Sequence, residues 1–412
     1  MKYSRILIFF SVTLFSLQAQ GTFFDFASLA RKDSFYAELK LKIAESVKKE
    51  NRRDVKKIAD GLWASELTLT RSQEFKDFLD ELLDSIYTFE PDLQRRILQA
   101  VHSLYRGEFQ EKVTTFAHST SDVKLFAMAL SQLKLERSRV EYFENLTRSK
   151  FGNKLDNPII TALLLSLRMK NAGERVVPPV KDLLTFQKDS SVFRMYMFVR
   201  SNRDFSGQII FRKRDGNFVR DSSGNVVTLP YFARSITNLP GYVTNGNSPQ
   251  GIFAITGAYN SPAKLIGPTP RIRLFMPSEG ENKQFYNGYK NSAKLSDSVL
   301  YSLLLPESWR NYSPVYESYY AGKAGRFDIV MHGTTVDQRY YKNEVFYPNV
   351  PTHGCLSGIE KWDDKGYLIF SNQEKLLDIY NSLGNPKGYL YLIELDDQEK
   401  DVTPEEVQNL LK

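Results

Sequence analysis

Through the first half of the chain, apolar residues return every three or four positions. Ser34 to Lys49 sets Phe35, Leu39, Ile43 and Val47 on one stripe, and Gln73 to Tyr87 does the same with Phe75, Phe78, Leu79, Leu82, Leu83 and Ile86. Further helices are predicted to begin near Pro91, Ser121, Asn157 and Pro179. Pro91 and Pro158 suit first-turn positions, and Ser121 or Asp122 can cap. The segments QAVHSLYR, AMALSQLK and LLLSLRMK place Leu104, Leu133 and Leu167 in matching positions. Their spacing, roughly 30 residues, is near the period of helical-repeat arrays. Alanine, leucine and serine are common in any amphipathic helix, so a helical-repeat array and a generic all-α domain both stay open for residues 21–195.

The texture changes between about Lys188 and Ser206, which puts a domain boundary near residue 200. From Gly207, short β-branched or aromatic runs alternate with Asp215-Gly216 and Ser223-Gly224-Asn225, dipeptides suited to hairpin turns. Residues 205–396 are therefore expected to form a mostly-β domain. The region between Gly251 and His332 is dense in tyrosine, including Tyr312, Tyr316, Tyr319 and Tyr320, which could cover a cleft or pack the core. Glu360 to Phe370 looks like a small insertion. Ser371 to Leu383 reads as a helix capped by Ser371 with Leu376, Leu377 and Tyr380 facing inward, and Gly388 to Ile393 as a closing strand. Residues 397–412 read as a peripheral acidic tail with a short terminal helix.

Length and charge change this picture little. A chain of 412 residues exceeds what one core usually holds, consistent with two domains. The excess of 55 Lys and Arg over 48 Asp and Glu is spread along the chain without a basic block, so a nucleic-acid partner is not expected. The N-terminus adds more. Lys2 and Arg5 precede an apolar run from Ile6 to Leu17, and Gln18-Ala19-Gln20 offers a small residue for cleavage. Residues 1–20 thus have the layout of a secretory signal peptide, an uncleaved anchor being the alternative. No other run is apolar and long enough to span a bilayer, so no transmembrane span is expected after cleavage. The protein is placed outside the cytoplasm, in the periplasm or cell envelope.

Export sharpens the one cysteine. Cys355 has no second cysteine for an internal disulfide, and two of the four histidines, His332 and His353, lie within the same short window. A thiol needs a base, and the base an orienting acceptor, to be an efficient nucleophile. Cys355 follows His353-Gly354, which suggests a tight turn that exposes the sulfur. His332 ranks above His353 as base because two residues separated only by Gly354 cannot easily face each other. His102 and His118 have no Cys, His or carboxylate cluster around them in sequence and read as ordinary histidines. Neither a metal nor an organic cofactor is signalled.

Three stretches together carry a resemblance: Asn247-Ser248-Pro249-Gln250-Gly251-Ile252-Phe253, His332-Gly333-Thr334 and Thr352-His353-Gly354-Cys355. In that order they resemble the T-P-x-G-x-F, H-G-T and S/T-H-G-C motifs of the L,D-transpeptidase catalytic domain, also called the YkuD domain, over roughly Gly207 to Leu395. The resemblance implies a β-rich fold and a cysteine acyltransferase acting on peptidoglycan stem peptides. Cys355 would be the nucleophile and His332 the base, paired as thiolate and imidazolium. The Gly333 carbonyl would orient the ring, with His353 in support and Gly354 and Cys355 N–H groups as oxyanion donors. Thr352, Ser357, Tyr319, Tyr320 and Arg326 are candidate substrate contacts, and Arg271 and Arg273 could also meet stem-peptide carboxylates. The family usually has arginine or asparagine two residues after the cysteine, where this chain has Ser357, which cannot clamp a carboxylate through two bonds. Products of a Cys355 thioester would be 3-3 cross-links, attachment of another amine, or simple L,D-carboxypeptidase cleavage. A wall-binding or scaffold protein is the non-catalytic alternative, and the helical half could recruit an envelope partner.

Overall fold

Helices occupy the N-terminal part of the chain in stacked pairs. The computed structural model describes residues 21–133, 137–172, 176–186, 192–286, 295–341, 344, 346 and 352–412, so the proposed signal segment 1–20 lies outside the described residues. The helices here are α1 (Leu29–Ser46), α2 (Val55–Thr68), α3 (Gln73–Asp84), α4 (Pro91–Tyr105), α5 (Gln110–Ser119), α6 (Val123–Gln132), α7 (Arg137–Lys150), α8 (Pro158–Ala172) and α9 (Val180–Thr185). Their starts follow local chemistry. The Asp54, Ser72 and Asp122 side chains accept the N–H of Lys57, Phe75 and Leu125, and Pro91 opens α4. Within each of the pairs α1–α2, α3–α4, α5–α6 and α7–α8 the two helices pack together. The second members also pack in series, α2 on α4, α4 on α6 and α6 on α8.

The β-rich part is a closed barrel of eight strands. In order around the barrel these are β1 (Phe193–Val199), β10 (Gly388–Glu394), β4 (Gly251–Tyr259), β5 (Arg271–Phe275), β6 (Ile329–His332), β7 (Leu356–Gly358), β3 (Leu229–Phe232) and β2 (Gly207–Arg212). The pairs β1–β10 and β6–β7 are parallel, and the remaining neighbours are antiparallel. The short hairpin β8 (Glu360–Trp362) and β9 (Leu368–Ser371) stands apart from the barrel. It is where the chain's first described residues dock, through Phe24 N–H to Gly366 O (2.8 Å) and Leu368 N–H to Thr22 O (2.8 Å).

Met195, Met197, Phe253, Ile255, Met331, Leu356, Leu390 and Leu392 share one apolar cluster with Leu376, Leu377 and Tyr380 of α13 (Asn372–Ser382). The opposite side of β1, β4 and β10 is covered by α10 (Asn282–Phe285), α11 (Asp297–Ser302) and α12 (Glu317–Lys323) with the aromatic segment around them. A third cluster joins the two halves: Ile97, Val101, Phe126 and Leu163 of the helices are continuous with Phe232, Ile236, Leu239, Tyr242, Val243, Val336 and Tyr341.

Two features depart from the sequence reading. The barrel starts at Phe193, inside the interval read as a junction, and all seven residues of β1 are buried. A strand covered on both faces shows no alternation, which hides it from periodicity. The C-terminal stretch expected to be peripheral is instead packed in. Val402 and Val407 are buried, α14 (Pro404–Leu410) begins with a capping box between Thr403 and Glu406, and Arg200 pairs with Asp396 (2.8 Å) and Glu406 (2.7 Å). Among the described residues no helix is long and apolar enough to cross a membrane.

Candidate active site

Adjacent parallel strands set the two candidate side chains, His332 and Cys355. Met331 lies opposite Leu356 and His332 opposite Ser357 across β6 and β7, and Met331 and Leu356 both belong to the barrel's apolar cluster. Side chains alternate along a strand, so His332, and Cys355 immediately before Leu356, emerge on the other face. They line one cavity of about 490 Å³.

The turn that delivers Cys355 is held from below. Gly354 has φ +106, and a Cβ there would lie 2.1 Å from Arg326 Nη2 and 2.3 Å from Gly246 O, so only glycine fits. Arg326 is buried, and its guanidinium donates to the carbonyls of Gly241, Asn247 (2.8 Å), Gly246 (2.9 Å) and His353 (3.4 Å). Ser248 Oγ donates to Gly354 O (2.7 Å), while Thr352 Oγ1 donates to Arg234 O (3.0 Å) and accepts the Gly354 N–H (3.3 Å). The Gln250 N–H is held by Glu317 (2.8 Å). The 247–251 stretch therefore acts as a buttress for the cysteine turn.

A second buttress stands behind the histidine. His332 Nδ1–H donates to the Gly333 carbonyl, which fixes the tautomer and leaves Nε2 as the basic atom. A Cβ on Gly333 would lie 2.1 Å from Glu360 Cδ. Glu360 accepts the Thr334 N–H (3.0 Å) and the Ser371 hydroxyl (2.8 Å), and Trp362 Nε1–H donates to Thr334 O (2.9 Å). Burial pushes the Glu360 carboxyl up to about 7, against the pull of Thr269, Ser371 and the Thr334 N–H. The segment read from sequence as an insertion thus shapes the His332 loop.

Electrostatics at the pair differ from the expected thiolate–imidazolium. Burial pushes the Cys355 thiol up to about 11; the Val330 N–H pulls it down, Asp328 adds to the rise, and Arg326 and Arg271 oppose it. Burial lowers His332 to about 4, against the upward effect of the Gly333 carbonyl and with that of Arg271. His332 is buried and Cys355 half-buried, and loss of solvent shifts both toward their neutral forms. The thiol donates to Asp328 O (3.7 Å) in this state.

The other candidates scatter. Thr352 and His353 line the Cys355 cavity. His353 keeps an exposed edge, and crowding by its surroundings followed by Arg95, Arg326 and Arg96 lowers its pKa. Ser357 is fully buried within β7 and does not line the cavity. Tyr319 packs against Tyr301, Tyr316 and Tyr320, and Tyr320 lines a different cavity, of about 610 Å³, beneath α8. Arg326 is committed to backbone carbonyls. Arg273 pairs with Glu279 (3.2 Å) and faces another cavity. Arg271 does line the Cys355 cavity, stacked 4.3 Å over Tyr259 and 4.0 Å from Asp328.

Sequence reasoning missed Trp63 and Leu67 of α2, which form part of the cavity wall, as well as the role of Glu360 and Trp362. No motif marks them; they reach the site only through the tertiary fold. Comparisons with protein-family models, curated proteins and solved structures gave no match to this chain.

Proposed function

We propose that the chain is an exported L,D-transpeptidase whose Cys355 forms a thioester with a peptidoglycan stem peptide. The observation that carries this reading is the shared cavity of Cys355 and His332, with the imidazole held by the Gly333 carbonyl so that Nε2 is the free base. Neutral imidazole is the form a general base requires.

On substrate binding the thiol swings from Asp328 O toward His332. Nε2 takes the Sγ proton as sulfur bonds to the carbonyl carbon of the third stem residue. The Gly354 N–H is already given to Thr352, so the oxyanion falls to the Cys355 N–H and neighbouring donors. Collapse breaks the C–N bond, and the departing D-alanine amine takes the proton from Nε2. An incoming amine, from a second stem, a protein lysine or a free D-amino acid, then attacks the thioester. It gives a proton to Nε2, which returns it to sulfur as the C–S bond breaks. Water in that step makes the same enzyme an L,D-carboxypeptidase. Arg271 is the cation suited to hold a stem carboxylate, the position that Ser357 cannot serve.

The test is intact-protein mass spectrometry of the mature chain with disaccharide-tetrapeptide, alongside Cys355→Ala. A Cys355-dependent acyl adduct with dimeric product supports the transpeptidase, and an adduct with tripeptide alone indicates the carboxypeptidase. Folded protein giving neither would refute both. It would leave the wall-binding scaffold as the remaining reading.

A further inference from the structure

We propose that the helical region contributes a sugar-binding wall to the Cys355 cavity, with Trp63 as its platform; the inference rests on the function proposed above. Trp63 lies on α2, is half-buried, and lines the same cavity as Cys355 and His332. Leu67, one turn later on the same helix face, lines it too. The wall is fixed to the catalytic loops. Tyr341, nine residues after His332, donates its hydroxyl to the Leu67 carbonyl and accepts from Tyr36 (2.9 Å), while Tyr36 of α1 stacks on Tyr340 with ring centroids 3.5 Å apart. Lys42 of α1 sits 5.1 Å from the Trp63 ring centroid and steadies the indole.

The chemistry of this wall is amphipathic. Trp63, Leu265 and Ile266 offer apolar surface, and the half-exposed Thr244 and Asn245 offer a hydroxyl and an amide. A pyranose ring has the same division, with C–H faces that lie on an aromatic ring and a rim of hydroxyls. A lipid tail would leave Thr244, Asn245 and Arg271 facing hydrocarbon. The cavity, about 490 Å³, is within the size of small-ligand sites. The site therefore takes the saccharide attached to the stem peptide, and the helical region selects substrate that still carries its sugar.

The experiment uses full-length Cys355→Ala protein, which cannot turn over, and calorimetric titration with disaccharide-tetrapeptide, the free tetrapeptide and the disaccharide. Adding Trp63→Ala should weaken disaccharide-tetrapeptide binding roughly tenfold and leave free tetrapeptide unchanged, with Trp63→Phe retaining part of the affinity. If Trp63→Ala disturbs folding, the Phe variant decides. Equal loss for both peptides, no loss for either, or no binding of any sugar-bearing probe overturns the subsite. Trp63-dependent sugar binding in a protein whose wild type forms no Cys355 adduct would sink the transpeptidase reading alone. Adduct formation indifferent to sugar and to Trp63 would sink the subsite alone.

Discussion

Alkylation of Cys355 by iodoacetamide reads the resting state of the Cys355–His332 pair directly. With the thiol pushed from 9.0 up to about 11, the thiolate population at neutral pH falls about 100-fold below that of an ordinary cysteine. A more basic thiolate is intrinsically more nucleophilic by about eightfold for two pH units, so net alkylation should be about tenfold slower than for an exposed model thiol. The shape of the profile is the sharper check. Because His332 is lowered to about 4 and the pair is neutral, the rate should climb steadily from pH 6 to pH 10 with no plateau. His332→Ala should leave that profile unchanged while abolishing acyl transfer, since the imidazole acts only when substrate draws the proton across. A plateau between pH 5 and pH 8 that disappears in His332→Ala would refute the argument. It would establish a preformed thiolate–imidazolium pair, and burial would have been outweighed by direct ion pairing.

Three further outcomes follow from the geometry. Arg271→Ala should lower kcat/KM about 10- to 100-fold for donors ending in a carboxylate and little for amidated donors, with Arg271→Lys restoring only part, as steady-state kinetics on the two donor types will show. Glu360→Ala removes the prop beneath Gly333-Thr334 and should lower kcat with KM nearly unchanged, Glu360→Gln being milder; an equal effect on KM would count against a positioning role. Glu66 is buried in α2 and pushed up to about 8 by desolvation, against 4.5 when unfolded. Its contribution to stability is fullest below pH 4.5 and is lost as pH rises through about 8, so Glu66→Gln should stabilise at pH 8 by on the order of a few kcal/mol and hardly at all at pH 4, measured by denaturant midpoints.

What could be read from the sequence depended on how strongly each segment obeys a simple period. The stripes Phe35–Leu39–Ile43 and Phe75–Phe78–Leu79–Leu82 are visible because one face is apolar and the other wet. Within the region read as helical, no stripe singles out α2, for a physical reason: its inward face carries Gly61, Ser65 and Glu66. Gly61 lets α1 approach closely, since a Cβ there would lie 2.1 Å from Ser46 Oγ, and Ser65 satisfies itself on the Gly61 carbonyl (2.6 Å). A helix with small and polar residues buried does not look amphipathic. The window of candidate nucleophile and base is legible because His332 and Cys355 lie close in sequence and fall at neighbouring strands. Trp63, Arg271 and Glu360 converge on it from three remote segments, and of these only Arg271 is a candidate contact from the sequence, placed behind Arg326.

That convergence bears on whether the barrel can act alone. Phe232, Ile236, Leu239, Tyr242, Val243 and Val336 are at most 5% exposed and belong to the cluster that continues into the helices. His102 of α4 also donates Nδ1–H to Thr237 O (2.7 Å) across the same boundary. Full exposure of such side chains costs about 1.5–3 kcal/mol each. Even if the barrel itself supplies half of their cover, removing the helices forfeits about 5–9 kcal/mol, comparable to the whole stability of a typical domain. A chain beginning at Val192 should therefore be aggregation-prone and lack a cooperative melt, and the loop 239–250 that carries Thr244 and Ser248 should lose its register beneath Gly354. A monomeric 192–412 fragment with a sharp thermal transition and undiminished Cys355 acylation would show that the helices merely rest on a self-sufficient enzyme.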